Sequence, residues 1–528
     1  MSGIPLLLMG AGDGNFMRAE QGTPGTYLDS EYIDSQTLIN MYYKPGVTKD
    51  SGILIATPGS TAPKTAAGAG VVRGMIYDST TDKLFVVSGN DITRWTNGTE
   101  TDDIGDLSTS TGRVRFANNP RTDEILIVDG TAGYILNPSS NTLTAIADAQ
   151  YPDTADVCAI IDGYFLVAIS GDTTNPGQFY WSTLNDGTSW VATDIATKEG
   201  GQDPLVDIVV ANREIYLLGE TTSEIWFNSG DLDQIFEKHQ GSFMEMGVAA
   251  PHMAAIADNK VLFPGRSSRG TGQVVALSGT QMEIISNQYI SSRIQQLNWN
   301  IGSSIYGFGY SFYEDGHEFY AMSNTATAAA SDATFVYDLT TKLWHRRAHF
   351  HGTTFPSGEI WTAFTMDGGG LHSLAFAVPC HGHRATGVLY LSGSPSGSLS
   401  SVPNAGTGNN TDVVTRRVIG PMIRSDKRIR FSEVTLEMGG STGAGEFTPG
   451  DISLYVSKDG GATWGSAITM NRDDLGYNPD GGVYRAHNLG TGKNWRFRLD
   501  ISSTTQSFAI KGLWGRPYGN TEPRVTYG

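Results

Sequence analysis

The sequence predicts an all-β chain whose body is a β-propeller. Three observations lead there: the composition, an internal repeat, and apolar runs too continuous for half-exposed strands. Of 528 residues, 65 are glycine and 10% are aromatic, and long runs of Ala, Leu, Glu and Lys are missing. That balance suits short strands and tight turns better than helices. Only 17% of residues are charged, so Ser, Thr, Asn and Gly carry much of the surface polarity.

The repeat is the main organising signal. A polar turn with Asp or Asn precedes an apolar strand, and a Gly-rich turn and a second strand follow. The copies are DKLFVVSGNDITRW from Asp82, DEILIVDGTAGYIL from Asp123 and DGYFLVAISGDTTNPGQFYWS from Asp162. NREIYLLGETTSEIWFN follows from Asn212, then segments begin at Asp258, Asp315 and Asp367. Successive anchors lie 41, 39, 50, 46, 57 and 52 residues apart. A further apolar strand precedes most copies, for example VVRGMI and LVDIVVA. Three or four strands in about 40–55 residues is the size of a propeller blade. A lone hairpin is marginal in water, whereas blades stacked about an axis bury both faces of each sheet. Runs such as ILIV and YFLVAI fit that double burial. A long β-sandwich or a solenoid is the competing arrangement. Seven copies predict seven blades, or six if one copy is partial.

The elements outside the repeat follow in order. Residues 1–60 hold YIDSQTLINMYY and LIATPG, and are expected to form a platform or to close the ring. Residues 61–393 form the propeller. Residues 394–412 are rich in Ser, Gly, Pro and Asn and read as a linker. Residues 413–528 return to strands that alternate apolar and polar, such as RIRFSEVTLEM and ISLYVS, and are read as a β-sandwich domain.

Charge and cysteine content exclude several functions. The formal net charge is −18, which disfavours tight wrapping of nucleic acid while allowing an acidic wall to face DNA without gripping it. Two cysteines, Cys158 and Cys380, cannot form a disulfide framework for this length. The start MSGIPLLLMG lacks a basic n-region and a full apolar h-region, and no stretch approaches the roughly 20 apolar residues of a membrane span. Folding in a cytoplasm is expected.

Candidate chemistry is sparse. SKDGGATW (Ser457 to Trp464) fits the pattern S-x-D-x-G-x-x-W, and STLNDGTSW (Ser182 to Trp190) is a looser version. The pattern resembles the Asp-box hairpin turns of sialidases, where it is structural and lies away from the active site. A stabilised turn is therefore the main reading. A sialidase-like hydrolase would need an arginine cluster, a tyrosine nucleophile and a partner carboxylate. His345, His349 and His351, and His372, His381 and His383 around Cys380, cluster late, but their spacing matches no zinc template. MGAGDGN (Met9 to Asn15) lacks the Lys-Ser/Thr ending of a phosphate loop. RRVIGPMIRSDKRIR (Arg416 to Arg430) is the basic stretch of an acidic chain; it is either solvated surface or a docking face for an acidic partner. No catalytic, cofactor-binding or metal-ligating residue is assigned, and no cofactor is expected.

LINMYYKPG, LIATPG and VVRGMIYD, in that order, resemble the start of the packaged-DNA stabilization proteins, the tail hub or nozzle proteins of short-tailed bacteriophages. FYWSTLNDGTSW (Phe179 to Trp190), GETTSEIWFNSGD (Gly219 to Asp231), QGSFMEMGVAAPHMAAIADNKVLFPG (Gln240 to Gly265) and YDLTTKLWHRR (Tyr337 to Arg347) extend the resemblance over roughly residues 30–350. It implies a propeller-bearing virion protein, assembled in the host cytoplasm as a homohexameric ring below the portal and its adaptor. Such a ring extends the channel, retains packaged DNA without binding it specifically, and docks the tail needle, spikes or fibres. The family offers no catalytic residues to carry over. A glycan hydrolase on a propeller and a glycan-binding tail module are the alternatives.

Overall fold

A computed structural model describes residues 4–5, 37–46, 52–57, 64–65, 72–96, 99–231, 234–296, 308–323, 334–347, 361–362, 380–383, 388–391, 414–439, 451–472, 482–503, 508–518 and 526–527. The anchors of the sequence repeat sit where the chain reverses. Asp162-Gly163, Asn212-Arg213, Asp258-Asn259 and Asp315-Gly316 all have positive φ, between 49° and 92°. Each pair is the two-residue loop of a hairpin flanked by register partners: Ile161 with Tyr164, Ala211 with Glu214, Ala257 with Lys260, and Glu314 with His317. Positive φ at both central residues is the mark of a type I′ turn, whose twist matches that of the strands it joins. Asp82 and Asp123, at φ 57° and 60°, instead close four-residue loops between Asp78 and Lys83 and between Asn119 and Glu124. Asp and Asn recur at these anchors because their short polar side chains tolerate left-handed backbone. Asp367, the seventh anchor, lies outside the described residues.

The described strands assemble into seven blades. Blade 1 comprises Val72–Asp78, Lys83–Ser88, Asp91–Thr96 and Thr99–Asp106; blade 2 comprises Arg115–Asn119, Glu124–Val128, Gly133–Asn137 and Thr142–Ala145. Blade 3 is Val157–Ile161, Tyr164–Ala168, Gln178–Thr183 and Asp186–Thr197; blade 4 is Leu205–Ala211, Glu214–Gly219, Ser223–Asn228 and Phe236–Lys238. Blade 5 joins Gly247–Val248 and Ala255–Ala257 to Lys260–Ser267, Gly270–Ser278 and Gln281–Ile284. Blade 6 is Phe308–Glu314, His317–Ser323, Thr334–Asp338 and Leu343–Arg347. Blade 7 is Trp361–Thr362, Cys380–His383 and Val388–Leu391, completed by Lys64–Thr65 from the other end of the chain. An N-terminal strand thus closes the ring with backbone hydrogen bonds, which removes the free edge an open ring would keep.

Apolar cores lie between consecutive blades. In Glu124–Val128, Ile125 and Ile127 face blade 1 while Leu126 and Val128 face blade 3. In Tyr164–Ala168, Phe165 and Val167 face blade 2 while Leu166 and Ala168 face blade 4. Double-faced burial accounts for the continuous apolar runs of the sequence.

The remaining strands form two sheets that share one strand. Val483–Ser503 pairs through its first half with Ile423–Gly439, and through its second half with Val414–Ile419 and Ile452–Ser457. Its pairing with Ile423–Gly439 runs to Trp495 and its pairing with Ile452–Ser457 begins at Arg496, so it changes sheets between those two residues. Strands from the first 60 residues complete both sheets. Met41–Lys44 pairs with Ile53–Ala56, which pairs with Ala509–Pro517; Thr37–Ile39 pairs with Val414–Ile419. The segments read from sequence as 1–60 and 413–528 therefore share sheets in one platform. Ile39 also bridges Arg346 in parallel register, so the outer edge of blade 6 continues into the platform. Leu38, Met41, Leu54, Val261, Phe263, Trp344, Phe431, Trp495 and Ile510 belong to one buried core spanning blades and platform.

Candidate functional site: the propeller axis and the platform junction

The first strands of blades 1 to 4 pack side by side, and that of blade 7 lies beside blade 1, so these strands line the axis. Near their starts, residues of several blades converge: Arg73 of blade 1, Arg113 and Arg115 of blade 2, His252 of blade 5 and Phe308 of blade 6 line one narrow cleft. Asp207 of blade 4 lies 3.9 Å from Arg115 Nη2.

Arg73 is committed to the backbone. Its Nε donates to the Gly112 carbonyl at 2.8 Å, Nη1 to Gly89 and Thr109 at 2.9 and 2.6 Å, and Nη2 to Thr109 Oγ1 and Thr111 at 2.6 and 2.7 Å. It thereby stitches the segment leading into blade 2 onto blade 1. The Arg113 guanidinium lies 4.1 Å over the Phe308 ring, joining blades 2 and 6. Asp207 is fully buried and accepts from the amides of Ile208 and His252 at 2.9 and 3.1 Å. Burial raises the Asp207 pKa although Arg115 pulls the other way. Burial, then Arg115 and Arg113, hold His252 well below the ordinary histidine range, so it stays neutral. Gly74 lets the strands meet, since a Cβ there would sit 2.7 Å from the Val114 carbonyl oxygen. The axis is therefore closed at this end. It has the arginines and the carboxylate asked of a glycosidase pocket, but Arg73 serves the backbone and no tyrosine is among the described lining residues. Sequence reasoning missed this cluster; its signal was a charge set inside an apolar first strand, as in VVRGM and LVDIV.

The second constellation is the junction of blade 6 and platform. Asn40, buried and at φ 56°, is where LINMYY leaves one platform sheet for the other. Its amide donates to the Arg346 carbonyl at 2.8 Å, and its carbonyl accepts from the Thr57 amide and hydroxyl at 3.0 and 3.1 Å. Arg416 Nη2 donates to the Thr57 carbonyl at 3.1 Å. Burial pushes the Arg416 pKa down to about 10. LINMYY, LIATPG, the end of YDLTTKLWHRR and the basic stretch thus meet at one point. Beside it, Arg347 binds Glu314 through two bonds of 3.2 and 2.8 Å, His317 Nδ1 lies 2.8 Å from Asp338, and Tyr42 and Lys44 donate to Asp315 at 3.2 and 2.7 Å. The Arg347–Glu314 pair is buried on both sides and costs much to break, because either partner alone would remain a lone charge in a low dielectric.

The other motifs also resolve into structure. In SKDGGATW, Asp459 accepts from Ser457 Oγ and from the amide and hydroxyl of Thr463 at 2.6, 3.0 and 2.5 Å. These bonds hold its carboxyl well below the usual range. Trp464 lies under Arg498 at 5.6 Å. In STLNDGTSW, Trp190 is buried between blades 2 and 3 and donates to the Gly187 carbonyl at 2.9 Å. Both are stabilised turns. GETTSEIWFN ties blade 4 to the segment before it: Lys198 donates to Asp203 and to Thr222 Oγ1, both at 2.6 Å, and Glu224 accepts from Trp226 and Lys238 at 3.1 and 3.0 Å. His345 is buried beside Arg347, and burial, Arg347 and His317 keep it neutral. Cys158 is a buried thiol. The side chains of His349, His351, His372, Cys380, His381 and His383, and the stretch Met9 to Asn15, lie outside the described residues. Among the described residues no group of three or more His, Cys, Asp or Glu is placed to hold a metal. The basic stretch divides: Arg416 is buried, Arg417 pairs with Asp500 at 2.7 and 2.8 Å, and Arg424, Lys427, Arg428 and Arg430 are exposed.

Residues 21–344 match the model of the Phage_stabilise family, described as bacteriophage P22 Gp10, beta-propeller. The chain belongs to that family. Phage_stabilise membership makes it a bacteriophage structural protein, and the matched span runs from before Thr37–Ile39 of the platform to Trp344 of blade 6. No curated protein sequence matches the chain. Among solved structures, the N-terminal domain of Nup159 overlaps with a TM-score of 0.40 at 10% identity, covering 68% of this chain and 98% of that one. The Neurospora crassa Pan2 WD40 domain overlaps with a TM-score of 0.39 at 11% identity, covering 64% and 95%.

Proposed function

We propose that this Phage_stabilise protein is the tail nozzle, or hub, of a short-tailed phage. Copies form a ring that extends the channel of the portal and its adaptor, retains packaged DNA, and docks needle, spikes or fibres. The observation that carries the reading is the family match over residues 21–344. The closed axis supports a particular version of it. The major groove of a DNA duplex alone is about 12 Å wide, and the axial cleft between Arg73, Arg113 and Phe308 is far narrower. DNA therefore passes between copies and not through a propeller. The work is mechanical: a rigid blade ring joined to a platform by the buried backbone bonds of Asn40 and by a shared apolar core transmits load without a reactive group.

Electron microscopy of the purified protein, with and without the portal–adaptor complex, tests the reading. Rings stacked on the adaptor, with density for DNA on the ring axis and not on the propeller axes, are expected. A soluble monomer that ignores the adaptor and cleaves glycosides would overturn it.

A further inference from the structure

The charge of this chain is divided unevenly. Residues 413–528 carry 15 Lys and Arg against 11 Asp and Glu, net +4, while residues 1–412 carry 21 against 43, net −22. The exposed excess gathers at one end of the platform, around Asn494. Strand Ile423–Gly439 slips register there: Arg424 faces Asn494 and Ile429 faces Gly492, so residues 425–428 bulge outward. Asn494 also bridges Asp459 and accepts from the Gly460 amide at 3.0 Å, which brings Lys458 to the same end. Arg424, Lys427, Arg428, Arg430, Lys458 and Lys493 are all exposed, and none makes an ion pair among the described residues. Glu433 on the same strand pairs with Arg485 at 3.2 Å, and Asp459 is held by its own turn. Arg430 lies 5.1 Å over the ring of Tyr518, which is 72% exposed. An exposed tyrosine beside unpaired arginines has the composition of a protein interface.

The complementary surface is on the propeller of the same chain. On the outer strand of blade 1, Asp103 and Asp106 are exposed, and Asp106 stands opposite Asp91. Burial and the neighbouring Asp106 and Asp103 carboxylates push the Asp91 pKa up, a sign of like charges with too little compensation. We propose that the Asn494 end of the platform docks onto the acidic outer face of the propeller of a second copy of this chain, head to tail. Two different, complementary patches on one chain make a heterologous contact, which closes into a ring when the rotation between copies allows. This rests on the ring reading above and names the surfaces that form it. A nucleic acid is the poorer occupant, because it would have to approach a chain with a large excess of carboxylates.

The test uses the full chain. Sedimentation velocity at low and high salt is run on wild type, on R424E/K427E/R428E, and on D103K/D106K. Circular dichroism checks the fold, and R424Q/K427Q/R428Q stands in if the reversal misfolds. Self-association should fall with salt, since a Debye length of about 10 Å at 0.1 M screens exposed pairs. Each reversal should weaken it by about ten-fold or more, and mixing the two reversed proteins should restore it. Rings that form equally well in both variants overturn the docking surfaces and leave the ring reading intact. A wild type that stays monomeric at every concentration overturns both. A triple reversal that still self-associates but loses affinity for a duplex oligonucleotide overturns the assignment to a second copy.

Discussion

Asp203 illustrates how single side chains hold this molecule together. It is half-buried, and burial alone would raise its pKa. The Lys198 ammonium at 2.6 Å and the amides of Thr221 and Thr222 at 2.7 and 3.0 Å outweigh that and lower it. A carboxyl with a depressed folded pKa contributes stability that is complete above its unfolded pKa of about 3.9 and is lost as pH falls through the folded value. Urea midpoints followed from about pH 6 to pH 3 should therefore fall more steeply for wild type than for Asp203→Asn. Parallel slopes would refute the assignment. At neutral pH the variant should be weaker by on the order of 3 kcal/mol, because the buried Lys198 loses its counter-charge. At this scale the sequence was partly legible. The turn residues Asp162, Asn212 and Asp315 could be read because left-handed backbone is a local demand on a single residue. Arg73 could not, because its partners Gly89, Thr109, Thr111 and Gly112 are specified only once two blades meet.

At the scale of the element, the hairpin is the unit that repeats, and its turn sets its register. Asn259 is exposed, sits at φ 56° and completes the Asp258-Asn259 loop. Asn259→Ala should cost about 1 kcal/mol, since a Cβ without a polar group is penalised in left-handed backbone. Asn259→Gly should match or exceed wild type. The urea midpoint of each variant checks this, and equal midpoints for Ala and Gly would show that the turn carries no strain. Strand pairing within blades was legible for the same reason that this prediction can be made. Alternate residues such as Ile125 and Leu126 report the two faces of one strand, and the turn residues between strands are adjacent in the chain. The slip in strand Ile423–Gly439 was not legible, because RSDKR reads equally well as a continuous strand. Its outward bulge is decided by Lys493 and Asn494, about 65 residues away, on the neighbouring strand.

At the scale of the whole molecule, the chain ends are brought together twice: Lys64–Thr65 closes blade 7, and Thr37–Ala56 enters both platform sheets. The propeller is therefore not expected to stand alone. A chain ending at residue 412 should lose the strands that cover Leu38, Met41 and Leu54 and expose the core shared with blade 5 and blade 6. It should elute as aggregate and bind a hydrophobic dye. A monodisperse product with native near-ultraviolet dichroism would show instead that the blades are independent of the platform.

By itself the sequence determined the all-β class, the blade period, the turn positions and the segments that resemble the phage family. Each of these depends on residues within one hairpin of one another, where backbone preference and alternating burial act directly. Only the tertiary structure decided that the bore is closed by Arg73, Arg113 and Phe308, and that Asn40, Thr57, Arg346 and Arg416 meet at one joint. It also decided which half of the basic stretch faces solvent. These outcomes depend on segments tens to hundreds of residues apart meeting in one arrangement, and contacts between such segments leave no local pattern in either partner.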